Sequence, residues 1–209
     1  KANMAHHLQF YSQFLFDELK IKDFLSTDGW WGNKWAWQIG GKYVDAFGVN
    51  NLDLQGEINI VRPYTYSHSD SVSNYTNYNQ PLAHPLGANF KEFIGIARYQ
   101  PVNKLLLTAR IIYENQGKDT TGVNWGSDIF AGYDTHVKDY GNSIGQGFSS
   151  KVANLSLTAS YEIKYNLFID LSYLYRKSGG AYTTYYPQKN TQFISAALRW
   201  NIGRREYDY

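Results

Sequence analysis

Apolar and polar residues alternate with a period of two through most of this chain, and that pattern leaves few folds open. In residues 153–163, Ala153, Leu155, Leu157, Ala159, Tyr161 and Ile163 interleave with Asn154, Ser156, Thr158, Ser160 and Glu162. Successive side chains of a strand point to opposite faces, so one face here is wholly apolar and the other wholly polar. Residues 167–176 repeat the pattern: Leu167, Ile169, Leu171, Tyr173 and Tyr175 stand against Asp170, Ser172 and Arg176, with Phe168 and Leu174 as exceptions. Near the end, Ile194, Ala196, Leu198, Trp200 and Ile202 oppose Ser195, Arg199 and Asn201. Leu52, Leu54, Gly56, Ile58 and Ile60 alternate with Asp53, Gln55, Glu57 and Asn59, and Trp35, Trp37, Ile39, Gly41 and Tyr43 with Gln38 and Lys42. Residues 5–18, 91–100 and 103–115 fit less cleanly and still read as strands, which makes about eight.

The charges decide which β architecture is expected. Glu57, Arg98, Arg110, Asp170 and Arg199 sit mid-strand on the polar face. A sandwich core would lose several kcal/mol for each such charge left unpaired, whereas a barrel with a wet lumen accepts them. The connections alternate in length: long at 19–32, 65–90, 116–149 and 178–190, short at 48–51, 101–103 and 164–166. Outer-membrane barrels have short periplasmic turns and long external loops. The 17% aromatic content, with 19 Tyr and 6 Trp, suits the girdles such barrels carry at both interfaces. No apolar run approaches the ~20 residues of a spanning helix. Residues 1–209 are therefore expected to form an all-β, antiparallel up-and-down transmembrane β-barrel of about eight strands. An even count places both ends of the segment on the periplasmic side, with an aromatic tail at Tyr207 to Tyr209. Loops as long as 65–90 and 116–149 point to a larger barrel of which this is the carboxyl-terminal part. The chain begins at Lys1 with no signal-peptide pattern and reads as a mature or incomplete chain.

Several chemistries are disfavoured. The chain has no cysteine, so thiol catalysis, thiolate metal sites and disulfides are out. A net charge of +2 with scattered basic residues argues against a nucleic-acid partner. His68 and His84 lack a carboxylate pair nearby in sequence, and the adjacent His6 and His7 would point to opposite strand faces, so no metal site is expected. Asp134, Thr135 and His136 resemble the Asp–His pairing of omptin-type outer-membrane proteases, but no second acidic motif accompanies them, and no spacing marks a Ser–His–Asn relay. Gly122, Gly126 and Gly132 follow no strand-to-helix pattern, so a phosphate loop is not expected. Asn124 to Asp128 reads as a turn with Trp125 as an aromatic anchor. Neither catalytic residues nor a cofactor are expected.

The richest segment is 62–90. Tyr64, Tyr66, Tyr75 and Tyr78 stand among Thr65, Ser67, Asn74, Thr76, Asn77, Asn79 and Gln80. Rings that stack on sugar C–H faces beside amides that bond hydroxyls make a glycan platform, with Tyr64, Tyr66, His68, Tyr75, Tyr78, Asn79 and Gln80 as candidate contacts. The same residues equally suit a loop packed into a barrel mouth, and both readings stay open.

The runs 45–68 (DAFGVNNLDLQGEINIVRPYTYSH), 77–101 (NYNQPLAHPLGANFKEFIGIARYQP) and 124–130 (NWGSDIF) together resemble a Bacteroidetes outer-membrane β-barrel family. That family is grouped with the Wzi-like capsule-assembly proteins and the gliding-motility protein RemB. The resemblance covers most of the chain, and NQPLAHPLGAN is its most specific block. It implies a longer barrel in the bacterial outer membrane with its long loops extracellular, in contact with lipid and lipopolysaccharide. It further implies non-catalytic attachment or assembly of surface polysaccharide. The alternatives are a structural part in a gliding or secretion complex with other outer-membrane proteins, or a diffusion pore, against which the inward-reading Phe168, Leu174 and Phe193 count. Asp70-Ser71-Val72 and Asp119-Thr120-Thr121 look like the O-glycosylation acceptor of Bacteroidetes, making Ser71 and Thr120 candidate acceptors.

Overall fold

The computed structural model describes residues 2–5, 7–180 and 187–202, with side chains placed for all of these except 2–5 and 71. His6, part of the 178–190 loop and the Tyr207–Tyr209 tail lie outside the described residues.

The chain is all-β. Its strands are β1 (Ala2–Ala5), β2 (Leu8–Glu18), β3 (Lys34–Tyr43), β4 (Leu52–Val61), β5 (Thr76–Asn77), β6 (Gln80–Pro81), β7 (Phe90–Val102), β8 (Leu105–Lys118), β9 (Phe148–Lys164), β10 (Leu167–Gly180) and β11 (Lys189–Trp200). One short helix, α1 (Ile21–Ser26), lies between β2 and β3. Among the described residues, β5 and β6 form a small hairpin of their own, and the other nine strands make one antiparallel sheet in sequence order. The eight expected strands are all present. The ninth is β1, a four-residue strand that pairs Ala2 with Phe10 through an irregular register. The expected strand 5–18 took in only its last residue, Ala5, and residues 2–4 were too few to show alternation of their own. Because β1 and β11 then run in the same direction, the even count expected from the sequence does not hold among the described residues. Long and short connections alternate as expected, since Val44–Asn51, Asn103–Lys104 and Tyr165–Asn166 close the short end.

Register explains why the two faces differ. Leu54 lies beside Tyr43 and Ala97, and the same row runs on through Ala109, Leu157, Tyr173 and Ile194. Side chains of one register row share a face, so the period-two pattern of each strand merges into one continuous apolar surface. The opposite row, Gln13, Gln38, Asn59, Glu92 and Glu114, is polar. Among the described residues nothing covers the apolar side: Phe14, Ile58, Phe93, Ile111, Leu157, Leu171, Ile194 and Leu198 are all exposed. The buried apolar cluster is instead Ala36, Val61, Tyr66, Ala88, Phe90 and Ile129, at the long-loop end.

The polar face is a bonded network. Glu57 accepts from the Tyr11 hydroxyl (2.6 Å), Gln38 Nε2 (2.9 Å) and Asn59 Nδ2 (3.0 Å), and Asn59 Nδ2 also donates to Glu92 (2.8 Å). Towards the short end, Asp170 accepts from Ser160 and from Arg199 Nε (2.7 Å), while the Arg199 guanidinium lies 4.2 Å from the Phe168 ring centroid. Three of the five mid-strand charges thus have protein partners, and the exceptional Phe168 has one too.

Tyr11 reaches Glu57 across β3 only because Gly40 lies beneath its ring, where a Cβ would overlap the ring atoms. Gly40→Ala is expected to cost about 1–3 kcal/mol by forcing the ring aside. In a Tyr11→Ala background the same change should cost less than about 0.5 kcal/mol, because the two positions are coupled. Denaturant unfolding of the four variants in a double-mutant cycle measures this.

Candidate functional site

Three long connections, 19–33, 62–89 and 119–147, fold together into a cap over the long-loop end of the sheet. Asparagine amides hold it. The buried Asn89 donates to the carbonyls of Gly117 (2.8 Å) and Gln146 (2.9 Å) and accepts from the Gly145 N–H (2.7 Å), so one side chain ties β8 to the far end of the third loop. Asn142 donates to the carbonyls of Gly29 (3.2 Å) and Lys138 (2.9 Å), joining the first loop to the third. Gly29, at φ +68°, has no room for a Cβ against the Asn142 backbone. The Asp119 carboxylate receives the N–H groups of Trp125 (2.5 Å) and Asp128 (2.8 Å), which shapes the expected turn around Trp125.

Aromatic rings fill the space between the loops. The Trp31 ring lies against Tyr133 and His136, with centroid distances of 4.9 and 4.4 Å. Lys34, fully buried, donates to the Ser67 carbonyl at 3.0 Å, lies 3.4 Å from Glu18, and places its ammonium 4.2 Å from the Tyr133 ring centroid. A buried ammonium needs this many partners, since an unpaired one would be strongly destabilising.

The seven candidate glycan residues divide into two groups. Tyr64 is 1% exposed; its hydroxyl donates to the Asn124 carbonyl at 3.0 Å, and Gly126 lies against its ring. Tyr66 is buried and packs in the apolar cluster. Both tyrosines hold positive φ, +65° and +76°, a strained choice for bulky residues that persists because the surrounding loops determine it. The His68 ring lies 3.5 Å from Asp17, and the His68 backbone N–H donates to Asn74 Oδ1. By contrast Tyr78, Asn79 and Gln80 stand at the tip of the β5–β6 hairpin in solvent, with Tyr78 94% exposed. Tyr75 joins the groups: it is half exposed and stacks on Tyr66 at 5.9 Å. Beside it opens a cavity of about 580 Å³ between cap and polar face, lined by Gln13, Gln38, Asn59, Tyr66, Tyr75 and His84. Carboxamides and rings meet there among apolar side chains such as Leu15, Val61 and Leu82, a mixed lining of the kind that sugar rings with hydroxyl edges and C–H faces can use.

Among the other sequence candidates, Ser71 lies in the short helical turn Ser71–Ser73, and Thr120 is exposed in a tight turn closed with Val123. His84 bonds Glu92 of the strand that follows its loop at 3.0 Å, while His68 meets Asp17 of the distant β2, so each ring has one carboxylate, and sequence proximity could not reveal the second of these pairs. Among the described residues no three His, Cys, Asp or Glu side chains converge. His136 pairs with Asp139 (2.7 Å) rather than with Asp134 of its own triplet, and its other ring nitrogen faces the Tyr133 carbonyl at 2.9 Å. Both ring nitrogens thus face protein oxygens of the same loop. The residues that sequence reasoning passed over are Asn89, Asn142, Trp31 and Lys34; their one signal is that Asn89 and Asn142 sit close to glycines in turn-rich segments.

Burial, with Tyr75 and Asp17 nearby, pushes the Tyr66 hydroxyl up to about 12 from 10.0. A raised folded-state value means that the cap keeps its full stability below pH about 10 and loses it as pH rises towards 12. Proteolysis of the 62–89 loop should therefore accelerate over that window, and Tyr66→Phe should abolish the acceleration.

No protein-family model, curated protein or solved structure matches this chain.

Proposed function

We propose that this chain is part of an outer-membrane β-barrel whose capped end faces outward and attaches surface polysaccharide without catalysis. The observation that carries the membrane half is the uncovered apolar face, continuous from β2 to β11 among the described residues. Soluble monomers rarely expose apolar patches beyond a few hundred Å². Lipid is the medium in which such a face is at rest, with the bonded polar face turned to the lumen. The same row that holds Lys91, Asn115 and Lys151 holds Trp37 and Ile60 on the earlier strands, a diagonal drift of the apolar band. Strands tilted by about 35–45° through a slab of lipid give that drift. In lipid an open sheet edge is not tolerated, so β1 and β11, the edges among the described residues, call for further strands, as the resemblance to Wzi-like barrels implies.

The polysaccharide half is supported by the exposed Tyr78, Asn79 and Gln80, by the Tyr75 ring, and by the cavity beside it, where Gln13, Gln38 and Asn59 offer carboxamides among apolar side chains. Tyr64 and Tyr66 act in this reading as the frame that presents them.

Two measurements test the proposal. Leu157 is 41% exposed at the centre of the apolar face. Leu157→Arg should destabilise folding into lipid vesicles by about 2–4 kcal/mol; a neutral effect would remove the membrane reading. For the cap, a Tyr75→Ala/Tyr78→Ala variant should lose retention of surface polysaccharide in a pull-down while still folding in detergent. Undiminished retention would move the attachment site elsewhere.

A further inference from the structure

The apolar face is not featureless at its long-loop end. Along β4, β7, β8, β10 and β11, and along β9 as far as its bulge beyond Tyr161, the only charged residues in register with that face are Lys91, Lys151 and Lys177. All three are exposed, and none has an ion-pair partner among the described residues. Their neighbours in the same rim are neutral: Asn115, Ser149, Gly179 and Asn190. Three unpaired ammonium groups without one carboxylate form a surface that recruits an anion.

Position narrows the choice of anion. Lys177 faces Ala153 and Lys151 faces Gly179, so the two lysines are diagonal neighbours on adjacent strands, with Cα atoms roughly 7–8 Å apart. Between them opens a cleft of about 530 Å³, lined by Tyr113, Ser149, Lys151, Lys177, Gly179 and Gln188. Further down the same face lies a second hollow, of about 510 Å³ and almost wholly apolar. Ala97, Ala109 and Ala159 make its floor, and Leu107, Leu157 and Leu171 stand along it. From Ala153 to Leu157 along β9 is four residues, or about 13 Å of strand, within the length of one fatty acyl chain. A cationic cleft thus stands above an apolar groove on one side of three consecutive strands.

We propose that β8, β9 and β10 bind one acylated, phosphate-headed lipid of the outer leaflet, with its phosphate between Lys151 and Lys177 and an acyl chain in the alanine-floored groove. This rests on the membrane reading above and adds to it a specific lipid site. Lys91, two strands away, meets a second phosphate of the same headgroup.

The test uses the protein in phosphatidylcholine nanodiscs doped with bis-phosphorylated lipid A, with lipid retained on the protein counted by native mass spectrometry. Vesicle flotation separately reports membrane insertion. Lipid A should be retained in preference to phosphatidylcholine. Lys151→Ala should lower that retention about fivefold and Lys151→Ala/Lys177→Ala about twentyfold, while Lys104→Ala in the short turn at the opposite end leaves it unchanged. Ala109→Trp, which fills the groove and keeps every lysine, should also lower it. Insertion without preference for lipid A, equal retention of dephosphorylated lipid A, or full displacement by inorganic phosphate would each overturn the lipid site and leave the membrane reading standing. Failure to float would overturn both.

Discussion

A sheet in which successive rows of side chains are apolar on one side demands a neighbour other than water on that side, and every other feature of this molecule follows from meeting that demand. Most globular domains meet it with a second layer of sheet or helix. Here no layer exists among the described residues: the buried apolar cluster is confined to the cap, and Phe14, Leu157, Leu171 and Ile194 have no protein over them. The polar side carries the opposite burden. Its amides and carboxylates are bonded to one another along and across strands, as Asn59 is to Glu57 on its own strand and to Glu92 on the next, which lets them sit close together without each needing its own water.

The cap shows the same division on a smaller scale. Its tyrosines and tryptophans supply bulk, but its geometry is set by Asn89 and Asn142 gripping main-chain groups of distant loops and by Asp119 gripping those of its own. Long loops without regular structure have many unpaired backbone groups, and buried ones must find partners. A carboxamide offers both donor and acceptor from one short side chain, so it can satisfy several at once.

Much of the sheet was legible in the sequence and little of the cap was. Strand 153–163 announces itself by strict alternation and 167–176 by alternation with two exceptions, but their register depends on a bulge after the Tyr165–Asn166 turn, where Leu167 pairs with Lys164 and Phe168 with Glu162, and the pattern does not mark it. β1 escaped because four residues carry too little periodicity to separate from β2. The partnerships of Glu57 with Tyr11 and of Asp170 with Arg199 could not be read, because they depend on which residues register brings together across strands. In the 62–89 loop the limit is deeper. Tyr64, Tyr66, Tyr75 and Tyr78 look alike in a pattern without period, yet the first two are interior and the last is in solvent. Only the closure of three loops on one another distinguishes them, and no local rule encodes that closure.

The grip of Asn89 and Asn142 on carbonyls rather than on side chains has a consequence for how this surface can change over time. A carbonyl is present whatever residue bears it, so the loops around these two amides can exchange their side chains without losing the bonds that shape them. The hairpin tip at Tyr78–Gln80, which reaches out from that frame, is freer still. A solvent-facing tip can thus acquire new chemistry by single substitutions while the architecture that presents it is inherited intact.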